Sequence, residues 1–260
     1  FALSEPDAGA DAAAMRAQAV RDGDHWVLNG TKAWVSAGRS AGVILAMVRT
    51  DRPDHRAGAR GIGAFILTPD LPGFTVGKKE NKLGMRASET VQLVFDNMRV
   101  PACRLLGDPT QGFSYALQTL EHGRLGIAAQ AIGIARAAFD HAVAYARDRQ
   151  QFGQPIGEFQ GIQFKLADMA TRIHAARSLL HATAAAKDRG ESVGVHSSMC
   201  KLFASETAMW VTTQAVQIFG GYGYSKEYPV EKLFRDAKVT EIYEGTSEIQ
   251  RIVIGRAAIK

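Results

Sequence analysis

The chain has 260 residues, 46% hydrophobic and 22% charged, with a formal net charge of +5, a balance that suits a globular protein burying a core in one or two domains. No apolar run is long enough to span a membrane, and Cys103 and Cys200 lie far apart without metal-ligand spacing, which excludes a disulfide framework and fits a reducing compartment. The positive charge permits phosphate-bearing ligands, but no dense Lys/Arg block carries interleaved aromatics, so nucleic acid is not an expected partner.

Strand signals fill the first hundred residues. Trp26-Val27-Leu28 and Thr31 to Val35 flank Asn29-Gly30, which reads as a two-residue hairpin turn. Further strands are expected over 43–48, 62–67, 74–76 and 91–95, with a charged surface loop over 51–60. Such a half should form an antiparallel sandwich or barrel. Val100-Pro101 and Gly107-Asp108-Pro109 mark its end. Beyond them the apolar period changes from two to 3.6. Helices are expected over 113–147, 160–188, 196–219 and 247–259, with stops at Asp188-Arg189-Gly190 and Gly220-Gly221. The expected fold is α+β and multidomain: a β-domain over 1–102, then a four-helix bundle over 103–260.

Several chemistries have no motif here. The chain holds no His-Glu-x-x-His, Cys-x-x-Cys, Gly-x-Ser-x-Gly, Walker loop or Gly-x-Gly-x-x-Gly, so no metal site and no Rossmann site is expected. The stretch Glu241 to Arg251 is more informative. It sets Glu244 in a short loop before an amphipathic helix, with Ser247 and Gln250 at capping-box spacing and Glu248 in the first turn. A carboxylate at such a joint can be partly desolvated and so act as a general base. From these residues alone, a helix-capping loop with a solvated Glu is an equal reading. Gln217 to Tyr224 brings three glycines to a helix end, either as a stop signal or as a close approach to a phosphate or adenosine. Four further segments stand out: Ala2-Leu3-Ser4-Glu5-Pro6-Asp7-Ala8-Gly9-Ala10-Asp11, Trp34-Val35-Ser36, Glu121-His122-Gly123-Arg124, and Arg149-Gln150-Gln151-Phe152-Gly153 with Gln160. Alone they read as an acidic loop, a core strand, a helix segment and an exposed helix-end Arg.

In order and spacing, all of these segments resemble the motifs of the acyl-CoA dehydrogenases, most closely the short-chain (butyryl-CoA) branch. The resemblance implies FAD-dependent α,β-dehydrogenation of a saturated acyl-CoA to the trans-2-enoyl-CoA, with Glu244 as the base that removes the α-proton. It implies cofactor contacts from Phe1, Leu3, Ser4, Trp34, Val35, Ser36, Arg149, Gln160, Gln217, Gly220, Gly221, Thr246, Ser247 and Glu248. Some of these reach across a dimer interface, so a homo-oligomer, dimer or tetramer, is expected. Substrate contacts are implied for Ala10, Glu121, His122, Gly123, Arg124 and Gly245. Ala10 stands where the family usually has Ser or Thr, and Glu121 where it usually has Asp. Some relatives carry their base at position 123, which a glycine cannot provide. An electron-transferring flavoprotein is implied as acceptor, a place in fatty acid β-oxidation as context, and the bacterial cytoplasm or mitochondrial matrix as location. An acyl-CoA oxidase or a DNA-associated flavoprotein of the same fold are the alternatives. Because Phe1 opens directly into a motif, the family's N-terminal helical domain is expected to precede it in a longer chain.

Overall fold

The computed structural model describes residues 1–51 and 58–259. Positions 52–57 of the expected surface loop lie outside them, and Gly58–Gly61 forms a 3-10 turn. Contacts divide the chain into two compact units, Phe1–Lys82 with Arg86–Thr119 and Leu83–Met85 with Leu120–Lys260.

The first unit is built on six strands: β1 (Gln18–Asp22), β2 (His25–Ser36), β3 (Ile44–Arg49), β4 (Ile62–Leu67), β5 (Phe74–Lys79) and β6 (Thr90–Pro101). They form one sheet in the order β4-β3-β1-β2-β6-β5. Most neighbours are antiparallel, but β1 pairs β3 in parallel at Gln18↔Arg49, so the sheet is mixed and open rather than a closed barrel. Alternation places Val91, Leu93 and Phe95 of β6 in the core. A bulge then re-registers the strand: Leu28 pairs Met98 while Gly30 pairs Phe95, and the buried set continues at Met98 and Val100.

The same bulge corrects the hairpin expectation. Asn29-Gly30 lies inside the continuous strand β2, where the Asn29 side chain accepts the Asn97 N–H at 2.8 Å. Gly30 is required because a β-carbon there would sit 2.6 Å from the Ala17 Cα. The actual two-residue turn is Gly23-Asp24, between the paired residues Asp22 and His25, with Gly23 at φ 61°.

The second unit is helical. Its helices are α1 (Gly112–Asp148, from Leu120 onward), α2 (Gln160–Asp188), α3 (Gly194–Phe219), α4 (Val230–Lys238) and α5 (Ser247–Ala258). Four were expected, and α4 adds a fifth, at nine residues too short to declare a period. On α1, Ala128, Ala131, Ala135, Ala138, Ala142 and Ala146 form a stripe at most 1% exposed, whose small side chains admit close helix packing. Helix α3 lies at the centre, packed by α2, α4 and α5. It carries Cys200, Ala204, Ala208, Val211 and Ala215 into the core. Both expected stops operate, with Gly190 at φ 82° and Gly220 at φ 61°. No helix among the described residues is long and apolar enough to cross a membrane.

Candidate functional site

In the first unit the segment Ala2 to Glu5 is tied to the sheet. Ala2 exchanges backbone hydrogen bonds with Leu45 and Met47, and the Ser4 carbonyl accepts the Ala33 N–H at 2.8 Å. A buried ion pair completes the anchor. Lys32 Nζ donates to Glu5 Oε1 at 2.8 Å and to the Leu3 carbonyl at 3.0 Å, while the Glu5 carboxylate also accepts the Arg16 and Ala17 N–H groups. Burial pulls the Lys32 ammonium below its ordinary range, against the opposing pull of Glu5. Trp34 follows at a second irregularity of β2, with φ 59° and 62% of the residue exposed. It is therefore not a core tryptophan; Trp26 is, packed edge-on against Phe65 at 5.6 Å. Val35 is buried, Ser36 and Ala10 are exposed, and Leu3 and Ser4 are half-buried.

In the second unit Glu244 occupies a strained joint. It has φ 54° and Gly245 has φ 89°, consecutive residues in the left-handed region, which costs a non-glycine residue roughly 1–3 kcal/mol. Three hydrogen bonds from two side chains hold this backbone. Gln250 Nε2 bonds the Glu244 carbonyl at 3.2 Å and the Gly245 carbonyl at 2.9 Å, and Lys201 Nζ reaches the Gly245 carbonyl at 2.7 Å. Gln250 therefore does not close a capping box. The cap is Thr246, whose hydroxyl accepts the Ile249 N–H at 3.4 Å, one residue earlier than the expected Ser247.

The Glu244 carboxylate lies against Gly123. A β-carbon at Gly123 would sit 2.9 Å from Glu244 Cδ and still nearer to Oε2. Burial raises the Glu244 pKa above the ordinary carboxylate value, opposed by the charges of Arg124 and Lys201. Arg124 is buried and donates to Ser198 Oγ at 3.0 Å, with Glu121 and Glu244 as its electrostatic partners. Lys201 is wholly buried, and desolvation brings its pKa down to about 8. Beside Glu244, Tyr243 donates its hydroxyl to Gln130 Oε1. Arg124 Nε, Ser247 Oγ and Gln250 Oε1 are buried without a hydrogen-bond partner among the described residues.

A half-buried carboxylate with unmatched polar atoms around it is what a bound polar ligand would complete. Lys201, Ser198 and Gln130 escaped the sequence reading. Helical spacing predicts an apolar face, and nothing local marks a buried lysine.

Two family models match the chain. Residues 1–98 match the model "Acyl-CoA dehydrogenase, middle domain", and residues 110–259 match "Acyl-CoA dehydrogenase, C-terminal domain". The chain belongs to the acyl-CoA dehydrogenase family. Among curated relatives, a probable acyl-CoA dehydrogenase of Mycobacterium tuberculosis is 52% identical over 261 residues, covering 100% of this chain. The mitochondrial short-chain specific acyl-CoA dehydrogenase of Bos taurus is 51% identical over 260 residues, again over 100% of this chain. The chain spans 66% of the first relative's length and 62% of the second's. Butyryl-CoA dehydrogenase of Megasphaera elsdenii, a solved structure, superposes with a TM-score of 0.97 at 48% identity, covering 100% of this chain and 67% of that one.

Several of the residues expected to touch the acyl-CoA dehydrogenase cofactor gather at one place in the second unit. Arg149, Gly220 and Gly221 line a cleft of about 480 Å³ together with Tyr145, Gln151, Ile156, Ile218, Phe219 and Tyr222. The Arg149 guanidinium stands over the Tyr222 ring at 5.4 Å. Positions 220 and 221 have no atom within 4 Å of a would-be β-carbon, so the backbone there is open to a ligand. Gln160 and Gln217 are exposed and do not line this cleft. Glu248 is exposed on α5, its carboxyl held below the ordinary value chiefly by its own backbone N–H and by Thr246. His122 and Phe1 are exposed, and Glu121 is half-buried, its carboxylate 3.5 Å from the position a β-carbon would take at Gly194.

Proposed function

We propose that the protein, in its full-length form, is an FAD-dependent acyl-CoA dehydrogenase acting on a short-chain substrate, with Glu244 as the base. The single observation that carries this is the Glu244 carboxylate itself: half-buried, in a strained loop held by three hydrogen bonds from Gln250 and Lys201, with Arg124 and Lys201 as its electrostatic partners. Burial raises its basicity, while the charges of Arg124 and Lys201 pull the other way and favour the carboxylate form. Such a group takes the weakly acidic α-proton of an acyl thioester once Cα is placed against it. Bound FAD supplies the acceptor for the β-hydrogen with its electron pair, and the two losses together leave a trans-2-enoyl thioester.

Residues suited to hold FAD are present in both units. Ser4, Trp34, Val35 and Ser36 belong to the first, and Trp34 offers a solvent-exposed ring for stacking. In the second, Thr246 and Ser247 stand beside the base, and the cleft of Arg149, Gly220 and Gly221 suits a neighbouring subunit's cofactor in a homo-oligomer. Arg124 and Glu121 would face the acyl-CoA. The test is the visible spectrum of the purified protein and its bleaching by acyl-CoAs of increasing length. A flavin spectrum bleached best by butyryl-CoA is expected; a colourless protein, or a flavin inert to every acyl-CoA, overturns the reading. Peroxide formation during turnover would instead indicate an oxidase.

Two variants probe the arrangement. Gly123→Ala should preserve the fold, since alanine is the better helix former, yet its methyl displaces the Glu244 carboxylate. A fall in kcat of about 10²-fold is expected at unchanged flavin content, measured by stopped-flow bleaching. Arg149→Ala should weaken flavin retention and subunit association together, followed by absorbance during sedimentation.

A further inference from the structure

We infer that Lys201 is a positioning residue for the reactive loop: its ammonium clamps the Gly245 carbonyl and sets a fixed positive charge beside the Glu244 carboxylate. The inference rests on the reading of Glu244 as the base. Lys201 is 0% exposed, on a face of α3 shared with Ser197, Ser198, Ala204 and Ser205. Its hydrogen bond goes to a carbonyl, a neutral acceptor, at 2.7 Å. A glutamine could satisfy a carbonyl without burying a charge, and an unneeded buried charge is costly. The ammonium therefore points to an electrostatic task.

The charged groups facing it are Glu241 from the turn after α4, Arg124 from α1, Glu244 from the loop and Glu248 from α5. Of these, Glu244 is the carboxylate adjoining the peptide that Lys201 holds, so anchor and charge act on one element. With its pKa at about 8, Lys201 is still charged at neutral pH. The signs are clear. Burial drives Glu244 towards its neutral, non-basic form, and the Lys201 charge drives it back.

The experiment compares the full-length wild type with Lys201→Met, Lys201→Gln and Lys201→Arg. The Glu244 carboxyl is titrated without substrate by infrared difference spectroscopy, its band assigned with Glu244→Gln. In parallel, the pH profile of bleaching by butyryl-CoA is recorded. In Lys201→Met the carboxyl midpoint should rise by about one pH unit or more, and the acid limb of kcat should move with it at nearly unchanged KM. Lys201→Gln should show the same rise while still bonding the carbonyl, and Lys201→Arg should stay close to wild type. Midpoints equal to wild type in the Met and Gln variants would overturn the inference, as would a loss of activity with no displacement of the pH profile. If Lys201→Met does not fold, Lys201→Gln carries the same titration. If no acyl-CoA bleaches the wild type, the proposed reaction fails, while the substrate-free titration still decides the role of Lys201.

Discussion

Glu244→Gln is expected to abolish reductive bleaching by acyl-CoA while leaving flavin and ligand binding in place. Removal of a general base costs roughly 10²–10⁴-fold, and more where no substitute stands nearby. Glu248, in the first turn of the helix that follows, is exposed on α5 and holds its carboxyl below the ordinary value, so it is both misplaced and a weaker base. The loop should survive the change, because Lys201 and Gln250 bond its backbone carbonyls rather than the carboxylate. Stability should move the other way from activity. A Glu whose folded pKa is raised gives stability present below its unfolded pKa, near the ordinary 4.5, and lost as the pH rises through the folded value. Glutamine mimics the neutral form at every pH. The variant should therefore melt above the wild type at neutral pH, and the two curves should converge below about pH 4.5. Stopped-flow absorbance and calorimetry at several pH values test both halves. Bleaching at wild-type rate would remove Glu244 from the mechanism.

Lys32→Met is expected to produce the largest loss of stability. Lys32 and Glu5 are 0% and 6% exposed, so removing the cation strands a buried carboxylate. Breaking such a pair costs about 3–5 kcal/mol, here towards the lower end because Glu5 keeps the Arg16 and Ala17 N–H donors. Because the same lysine donates to the Leu3 carbonyl, the segment expected to touch FAD should loosen, and flavin retention should fall with the melting temperature. A double variant with Glu5→Gln should recover much of the loss, since neutralising both partners removes the stranded charge. Denaturant unfolding of both variants measures the effect. A single variant within about 1 kcal/mol of wild type would show that the backbone donors alone satisfy Glu5.

What the amino-acid sequence determined by itself was the order and type of the long elements and the position of the Glu244 loop before the last helix. Apolar spacing of two and of 3.6 reports burial on one side of a strand or helix, so β3, β4, α2 and α3 were legible from near neighbours alone. Glu244 was legible because an acidic residue, a glycine and a helix start are local signals. Everything that depended on partners far along the chain was decided only by the tertiary structure. Asn29-Gly30 has the chemistry of a hairpin turn, but pairing with β6 and the approach of Ala17 kept it in a strand, opposite a bulge in β6, and Gly23-Asp24 turned the chain instead. Ser247 and Gln250 have capping-box spacing, but the carbonyls of a strained Glu244-Gly245 drew Gln250 away and left the cap to Thr246. Lys32 and Lys201 were invisible because a lysine in a sequence pattern reads as solvated. Only the fold brings Glu5 to one and the Gly245 carbonyl to the other, across 27 and 44 residues of chain. A buried charge is tolerated only where its partners are already placed, and no local pattern encodes that placement.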